Sequence, residues 1–380
     1  MSARSRRIPL VAVGLLAALT AAACAEDKGS SGSGGSASDK IAVAASDTSC
    51  TVDTTELDAG VHKFAVTNSG SKVTEFYVYA EGDRIMGEVE NIAPGVARDL
   101  QVELPAGDYT TACKPGMVGD GIRGDLKVTG AAAELSDDQA LSAAVDSYTS
   151  YVQNQVGALQ DQTTKFVDAI KAGKVDDAKA LYPIARSYYE RIEPVAESFG
   201  DLDPKIDARE NDVEPGDEWT GFHVLEKDLW DKNDISQSGP AADQLLADVN
   251  SLADEVAKLA LKPLDLANGA QGLLDEIATS KITGEEDRYS HTDLYDFFAN
   301  LDGSRAAVQS LRPVIEEKDP DLAKALDEQF AAAQAELDKY RQGDGWKLYT
   351  ELTPDQTKAL SDSIGALTAQ VATVPDAITG

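Results

Sequence analysis

The stretch LSDDQALSAAVDSYTSYVQNQVGALQ, residues 135–160, divides this chain into two architectures. Ser136 to Gln139 has the spacing of a capping box, a hydroxyl followed three residues later by an amide. Beyond it Leu141, Val145, Tyr148, Val152, Val156 and Leu159 recur every three or four residues, so they share one stripe of a helix that runs to about Ala172. The same period predicts helices over 175–199, 222–230, 240–261, 263–279, 293–300, 304–317, 321–340 and 354–374. Strand signals are nearly absent from 131–380, which therefore reads as an all-α bundle.

Upstream, from Ile41 to Gly130, the pattern is β. Phe64 and Val66 alternate with Lys63 and Ala65. Val73 to Tyr79 is rich in β-branched and aromatic residues, and 67–71, Pro94-Gly95 and 105–108 carry turn chemistry. Short strands at this spacing predict a sandwich over 41–130. The fold class is thus multidomain, an N-terminal all-β sandwich followed by an all-α bundle. The strand order, with a cysteine late in the domain, resembles cupredoxins. Cys50 and Cys113 form a disulfide by default in an exported domain, the alternative being a metal site with cysteine ligands. A blue-copper centre would need two His, a Cys and an axial Met. Only His62 and Met117 are at hand, which argues against one.

The first residues read as an address. Arg4, Arg6 and Arg7 precede an apolar run from Ile8 to Leu19, too short to span a bilayer comfortably. Ala21-Ala22-Ala23-Cys24 then resembles the lipobox of bacterial lipoproteins, although Ala21 stands where leucine is usual. The alternative is an ordinary secretory signal cut near the same point. Residues 1–24 are thus expected to be a lipoprotein signal peptide with lipid on Cys24. Residues 25–40, rich in Gly and Ser, are expected to be a flexible tether. Together they place the mature protein outside the cytoplasmic membrane, on its outer face.

The chain carries 34 basic and 66 acidic residues, a formal charge of -32. Phosphate backbones need clustered Lys and Arg, so nucleic acid is not an expected partner. A cationic ligand suits this surface, and solubility alone is the bland alternative. Three places in the bundle could carry chemistry. Glu190 and Glu193 lie three apart on a predicted helix, as do His223 and Glu226. The run 284–294 gathers carboxylates, a phenol and His291 near a helix start. Glu-x-x-Glu is common in acidic helices and a helix start favours acids anyway. With only three histidines in the chain, the His223 pair is the more informative.

Ser187-Tyr188-Tyr189-Glu190-Arg191-Ile192-Glu193-Pro194 resembles the opening motif of the imelysin-like proteins. Ile206-Asp207-Ala208-Arg209-Glu210, Gly221-Phe222-His223-Val224-Leu225-Glu226 and Ile282 to Leu294 resemble later motifs in the same order. Glu90 to Gly95 and Pro105 to Tyr109 extend the match into the β half. A cupredoxin-like domain ahead of an imelysin-like one resembles the EfeO-type family of iron-uptake lipoproteins, over nearly the whole mature chain. The resemblance implies a non-enzymatic protein that captures ferric or ferrous iron outside the membrane. It also implies handover to an iron permease, with a haem-peroxidase-like partner. The implied helical site is Glu190, Glu193, Asp207, His223 and Glu226, completed by Glu286 and Tyr289, with Glu285 as the alternative to Glu286. An implied second site is Cys50, Glu75, Asp108 and Cys113. Oxygen ligands with one imidazole suit iron, with zinc less exclusively, and copper is the alternative cargo of the β domain.

The family name also suggests a peptidase. Zinc peptidases of that kind carry His-Glu-x-x-His on one helix, and here His223 is followed by Val224 and Leu225 with no second histidine nearby. A polymer binder working through bridging cations is a further rival.

Overall fold

The structure, a computed structural model, describes residues 40–132, 134–213, 216 and 218–380. The expected signal peptide, the lipidated Cys24 and nearly all of the tether lie outside the described residues. No helix among the described residues is long and apolar enough to cross a membrane.

Among the described residues, nine strands build the first part: β1 Ile41–Ala45, β2 Cys50–Val52, β3 Glu56–Asp58, β4 Gly60–Asn68, β5 Thr74–Tyr79, β6 Ile85–Ile92, β7 Ala97–Leu104, β8 Gly107–Cys113 and β9 Ile122–Thr129. They form two sheets, ordered β2-β1-β4-β7 and β3-β9-β8-β5-β6. The alternation read in β4 holds, with Phe64 and Val66 fully buried. They meet Phe76, Val78, Leu126 and Val128 of the opposite sheet in one core. The β5 strand is buried on both faces, because Glu75, Tyr77 and Tyr79 point away from that core yet are 4–5% exposed.

Cys50 and Cys113 are disulfide-bonded, 63 residues apart in sequence. The bond joins β2 of one sheet to β8 of the other, so it staples the sandwich. Closing a loop of this length contributes about 2–5 kcal/mol. Reduction is expected to lower the stability of the sandwich by that amount in a denaturant titration.

Ten α-helices follow among the described residues: α1 Gln139–Lys171, α2 Val175–Glu190, α3 Leu202–Asp207, α4 Phe222–Trp230, α5 Gly239–Val256, α6 Pro263–Thr279, α7 Asp293–Lys318, α8 Pro320–Leu337, α9 Pro354–Val371 and α10 Val374–Thr379. The α1 stripe is buried as expected at Leu141, Tyr148, Val152, Val156 and Leu159. Its cap is Asp138, whose carboxylate accepts from the N–H groups of Ala140 and Leu141, not Ser136.

Among the boundaries that differ from expectation, two do so for clear local reasons. The helix expected over 175–199 stops at Glu190. Pro194 has no N–H for the Glu190 carbonyl, and Asn300 Nδ2 donates to that oxygen instead at 3.0 Å. The chain then continues as a short 3-10 segment, Glu193–Phe199. Conversely, the two helices expected over 293–317 are one, α7. Gly303 does not break it, because the glycine admits a neighbour: a Cβ there would lie 2.2 Å from the Arg191 carbonyl oxygen.

From Lys40 onward sandwich and bundle form one compact unit. The β7 strand docks on α6 and α10. Arg98 pairs with Asp275 at 2.9 Å and Lys63 with Asp376 at 2.8 Å. Asn268 donates to the Gln101 carbonyl at 2.7 Å, and Glu103 accepts the N–H of Leu135 at 2.6 Å.

Candidate metal site

Residues 182, 186 and 190 stand one turn apart on α2, so Tyr182, Arg186 and Glu190 project from one face into the bundle. All three are fully buried. Opposite them lie Asp207 at the end of α3, His223 and Glu226 in the first turns of α4, and Glu286 and Asp287 in the segment before α7. A glycine lets α4 approach α3 so closely. Gly221 has φ 92, and a Cβ there would lie 2.3 Å from the Ile206 carbonyl oxygen.

His223 is 2% exposed. Its Nδ1 lies 3.0 Å from Glu226 Oε2 and 3.3 Å from the Tyr182 hydroxyl. That hydroxyl donates to Asp287 Oδ1 at 2.8 Å, so Nδ1 donates to Glu226. Glu226 is held in turn by the N–H groups of Tyr289 and Ser290 on Oε1, at 2.9 and 2.8 Å. The imidazole is thereby fixed in ring orientation and tautomer, the arrangement that presents Nε2 to a metal. Nε2 is buried with no hydrogen-bond partner, 3.8 Å from Asp207 Oδ1 and 3.7 Å from Glu286 Oε1. One ligand atom each from Asp207, His223 and Glu286 fall within 4.8 Å of one another.

Electrostatics set the protons. Burial and Arg186 pull His223 down, but Glu226, Glu286 and Asp207 outweigh them and raise it to about 10. Burial, helped by the Glu190 and Glu286 charges, pushes Asp207 up to about 7 against the pull of Arg186. Burial acts the same way on Glu286, yet Lys281 and Arg186 hold its carboxyl well below the usual range.

Of the expected ligands, Asp207, His223 and Glu286 converge, and Glu226 stands behind the imidazole. Glu190 and Glu193 form a neighbouring knot around Lys281, itself 1% exposed. Lys281 Nζ lies 3.1 Å from Glu190 and 2.6 Å from Glu193, and Asn300 donates to both carboxylates. The Tyr289 phenol turns outward to Glu210, 2.5 Å away, so its backbone rather than its ring serves the site. Glu285 is half-exposed and reaches only Arg209, at 3.7 Å, while Glu286 is the one of the two that lies beside His223.

The four residues of the expected second site do not come together. Cys50 and Cys113 are spent in the disulfide and offer no thiolate. Asp108 is exposed five residues from Cys113 along β8, about 16 Å away and on the opposite face. Glu75 is buried on the other face of β5, accepting from Tyr77 at 3.1 Å. An acidic cluster that the sequence reading missed lies beside it instead. Glu88 and Glu90 of β6 and Glu197 of the 3-10 segment bring oxygens within 4.8 Å of one another. They line a cleft of about 290 Å³ between β6 and α6. Burial raises Glu90 to about 7 and Glu197 to about 8.

Comparison with known proteins agrees with this architecture. The imelysin family model matches residues 144–374, and the cupredoxin-like domain model matches residues 10–128. The fold and site thus define an imelysin domain preceded by a cupredoxin-like domain. The chain is 40% identical over 340 residues to the iron uptake system component EfeO of Escherichia coli K12, of E. coli O157:H7 and of Shigella flexneri, covering 88% of this chain and 90% of each relative. The chain belongs to the EfeO family.

Proposed function

We propose that this protein captures iron outside the membrane at Asp207, His223 and Glu286 and passes it to a membrane permease. The observation that carries the reading is the unpartnered Nε2 of His223, aimed between two carboxylates by a hydrogen-bonded Glu226. A buried ring nitrogen without a partner is costly unless a ligand satisfies it. Two carboxylates and one imidazole form a hard-to-borderline donor set suited to ferrous or ferric iron. Glu190 and Glu193 stand next to this set and supply further negative charge. Around His223 buried carboxylates outnumber buried cations, so a multiply charged ion balances the interior. The name of the relatives, iron uptake system component, makes iron the first cargo to test. Zinc is the natural competitor, and copper the alternative. Handover to a permease, a haem-peroxidase-like partner and a lipid anchor on Cys24 complete the proposal. Carriage rather than hydrolysis fits the lone histidine, since a His-Glu-x-x-His pair is absent from the sequence.

A carrier must also let go, and acid provides the means. With His223 raised to about 10 and Asp207 to about 7, binding at pH 8 displaces one proton and binding at pH 6 displaces two. Affinity is therefore expected to fall about tenfold per pH unit between 9 and 7, and about 100-fold per unit below 7. Anaerobic ferrous titration of protein lacking residues 1–39, repeated from pH 9 to 5.5, tests this. One bound iron with that break in slope supports the reading, and an affinity independent of pH sinks it.

A further inference from the structure

Arg186 lies inside the site, and no motif in the sequence pointed to it. Its guanidinium is 0% exposed. It grips Asp207 as a fork, Nε to Oδ1 at 3.0 Å and Nη2 to Oδ2 at 2.8 Å. The same Nη2 lies 2.5 Å from Glu286 Oε1 and 2.7 Å from Glu190 Oε1. Nη2 has two hydrogens and faces three carboxylates. The oxygens that would hold iron are therefore the oxygens that Arg186 holds. Asp207 Oδ1, which faces His223, cannot ligate a metal and accept from Nε with full strength together.

A second observation lies on the other side of the guanidinium. Asp296 of α7 is 0% exposed, and neither of its oxygens has a hydrogen-bond partner. Nη1 is 2.8 Å from Asp296 Oδ2, close enough to pair, yet it makes no aligned hydrogen bond. Asp287 Oδ1 lies beyond it, 3.7 Å from Nη1. A buried carboxylate with an ion pair but no aligned hydrogen bond, next to a guanidinium with an unused edge, is an expensive arrangement in a fixed structure. It is the expected arrangement if the guanidinium has two stations.

We propose that Arg186 is a built-in competitor for the cargo, exchanging its fork from Asp207 and Glu286 to Asp296 and Asp287 as the metal enters. The proposal rests on iron binding at Asp207, His223 and Glu286. The exchange keeps one positive charge beside the buried acids with or without metal. It lowers affinity by the interactions that must be broken, and Asp296 returns part of that loss. Arg186 thus sets an affinity from which a permease can withdraw the ion. Arginine suits the task better than lysine, because its planar fork can satisfy a carboxylate at either edge.

The test is ferrous affinity of the native protein and of Arg186→Gln, Asp296→Asn and the double variant, by competition with a chromophoric chelator. Folding of each is checked by circular dichroism. Arg186→Gln is expected to bind at least about tenfold tighter, the scale of one charge-assisted hydrogen bond that no longer breaks. Asp296→Asn is expected to bind about tenfold more weakly, because the displaced fork loses its second station. In the Arg186→Gln background the Asp296→Asn change should have no further effect. Simple field effects of the two charges would instead add, so additive changes overturn the exchange. Should Arg186→Gln not fold, crystals of the native protein with and without iron decide it. The fork should lie on Asp207 without iron and on Asp296 with it, and a guanidinium unmoved by iron overturns the proposal. A native protein that binds no iron at His223 defeats the proposed function itself, a result distinct from native binding with additive variants.

Discussion

Replacing His223 with alanine is expected to weaken iron binding at least about 100-fold, since loss of an orienting partner alone typically costs 10–100-fold. The imidazole supplies the one nitrogen of the donor set, and nothing nearby can replace it. His62 lies in the sandwich with Nε2 on the Asp58 carbonyl, and no cluster of possible ligands found among the described residues includes His291. The milder change Glu226→Gln separates position from charge. Its oxygen can still accept from Tyr289 and Ser290, but its amide nitrogen then faces His223 Nδ1. Nδ1 would have to accept, leaving the proton on Nε2, where the metal must bind. A loss of about 10–100-fold is expected there, without a matching loss of fold stability. Chelator competition on both variants reads the effect. Unchanged affinity in His223→Ala would remove the site from the bundle.

The second large effect concerns Lys281. Substitution by methionine leaves Glu193 without its cation and Glu190 with Arg186 alone, inside a protein where Lys281 is 1% exposed. Removing one partner of a buried pair costs about 3–5 kcal/mol, because the remaining charge stays buried. Burial tends to lower Lys281, and Glu190 and Glu193 raise it well above its ordinary value, so it is charged at any working pH. The deficit is expected in guanidinium unfolding at pH 8. It should shrink as pH falls, because the freed glutamates can take up a proton. The double variant Glu190→Gln/Lys281→Met should recover part of it. A single variant as stable as the native protein would show that the pair carries no counter-charge role.

The division of labour was legible from residues 135–160 onward, because the change from period two to period 3.6 reports which faces meet a core. Helix ends were less legible where a tertiary contact chose them. Pro194 could have announced the break after Glu190, but only Asn300, more than a hundred residues away, makes that break tolerable. The helices expected over 293–300 and 304–317 are one, because Gly303 takes the Arg191 backbone against it, a contact that nothing in the sequence shows.

The site divides in the same way. Asp207, His223 and Glu286 were found through the family motifs, and the spacing of His223 and Glu226 already placed both on one face. Arg186 and Lys281 were not found, since a basic residue in an acidic helical domain reads as surface. Their partners come from α2 and the 3-10 segment after it, from α3, and from α7 and the segment before it, and only the folded bundle assembles them. A hint existed in Tyr182, Arg186 and Glu190, spaced four apart on a helix whose other stripe is apolar. The second site was misread because β8 carries Asp108 and Cys113 at opposite ends and on opposite faces, a matter of strand geometry that sequence order conceals.

The central claim is best tested by anomalous diffraction at the iron edge from crystals of the iron-loaded protein. The account predicts a single strong peak within bonding distance of His223 Nε2, Asp207 and Glu286, with Glu226 still on Nδ1. A peak in the sandwich or among Glu88, Glu90 and Glu197, with none at His223, would contradict it.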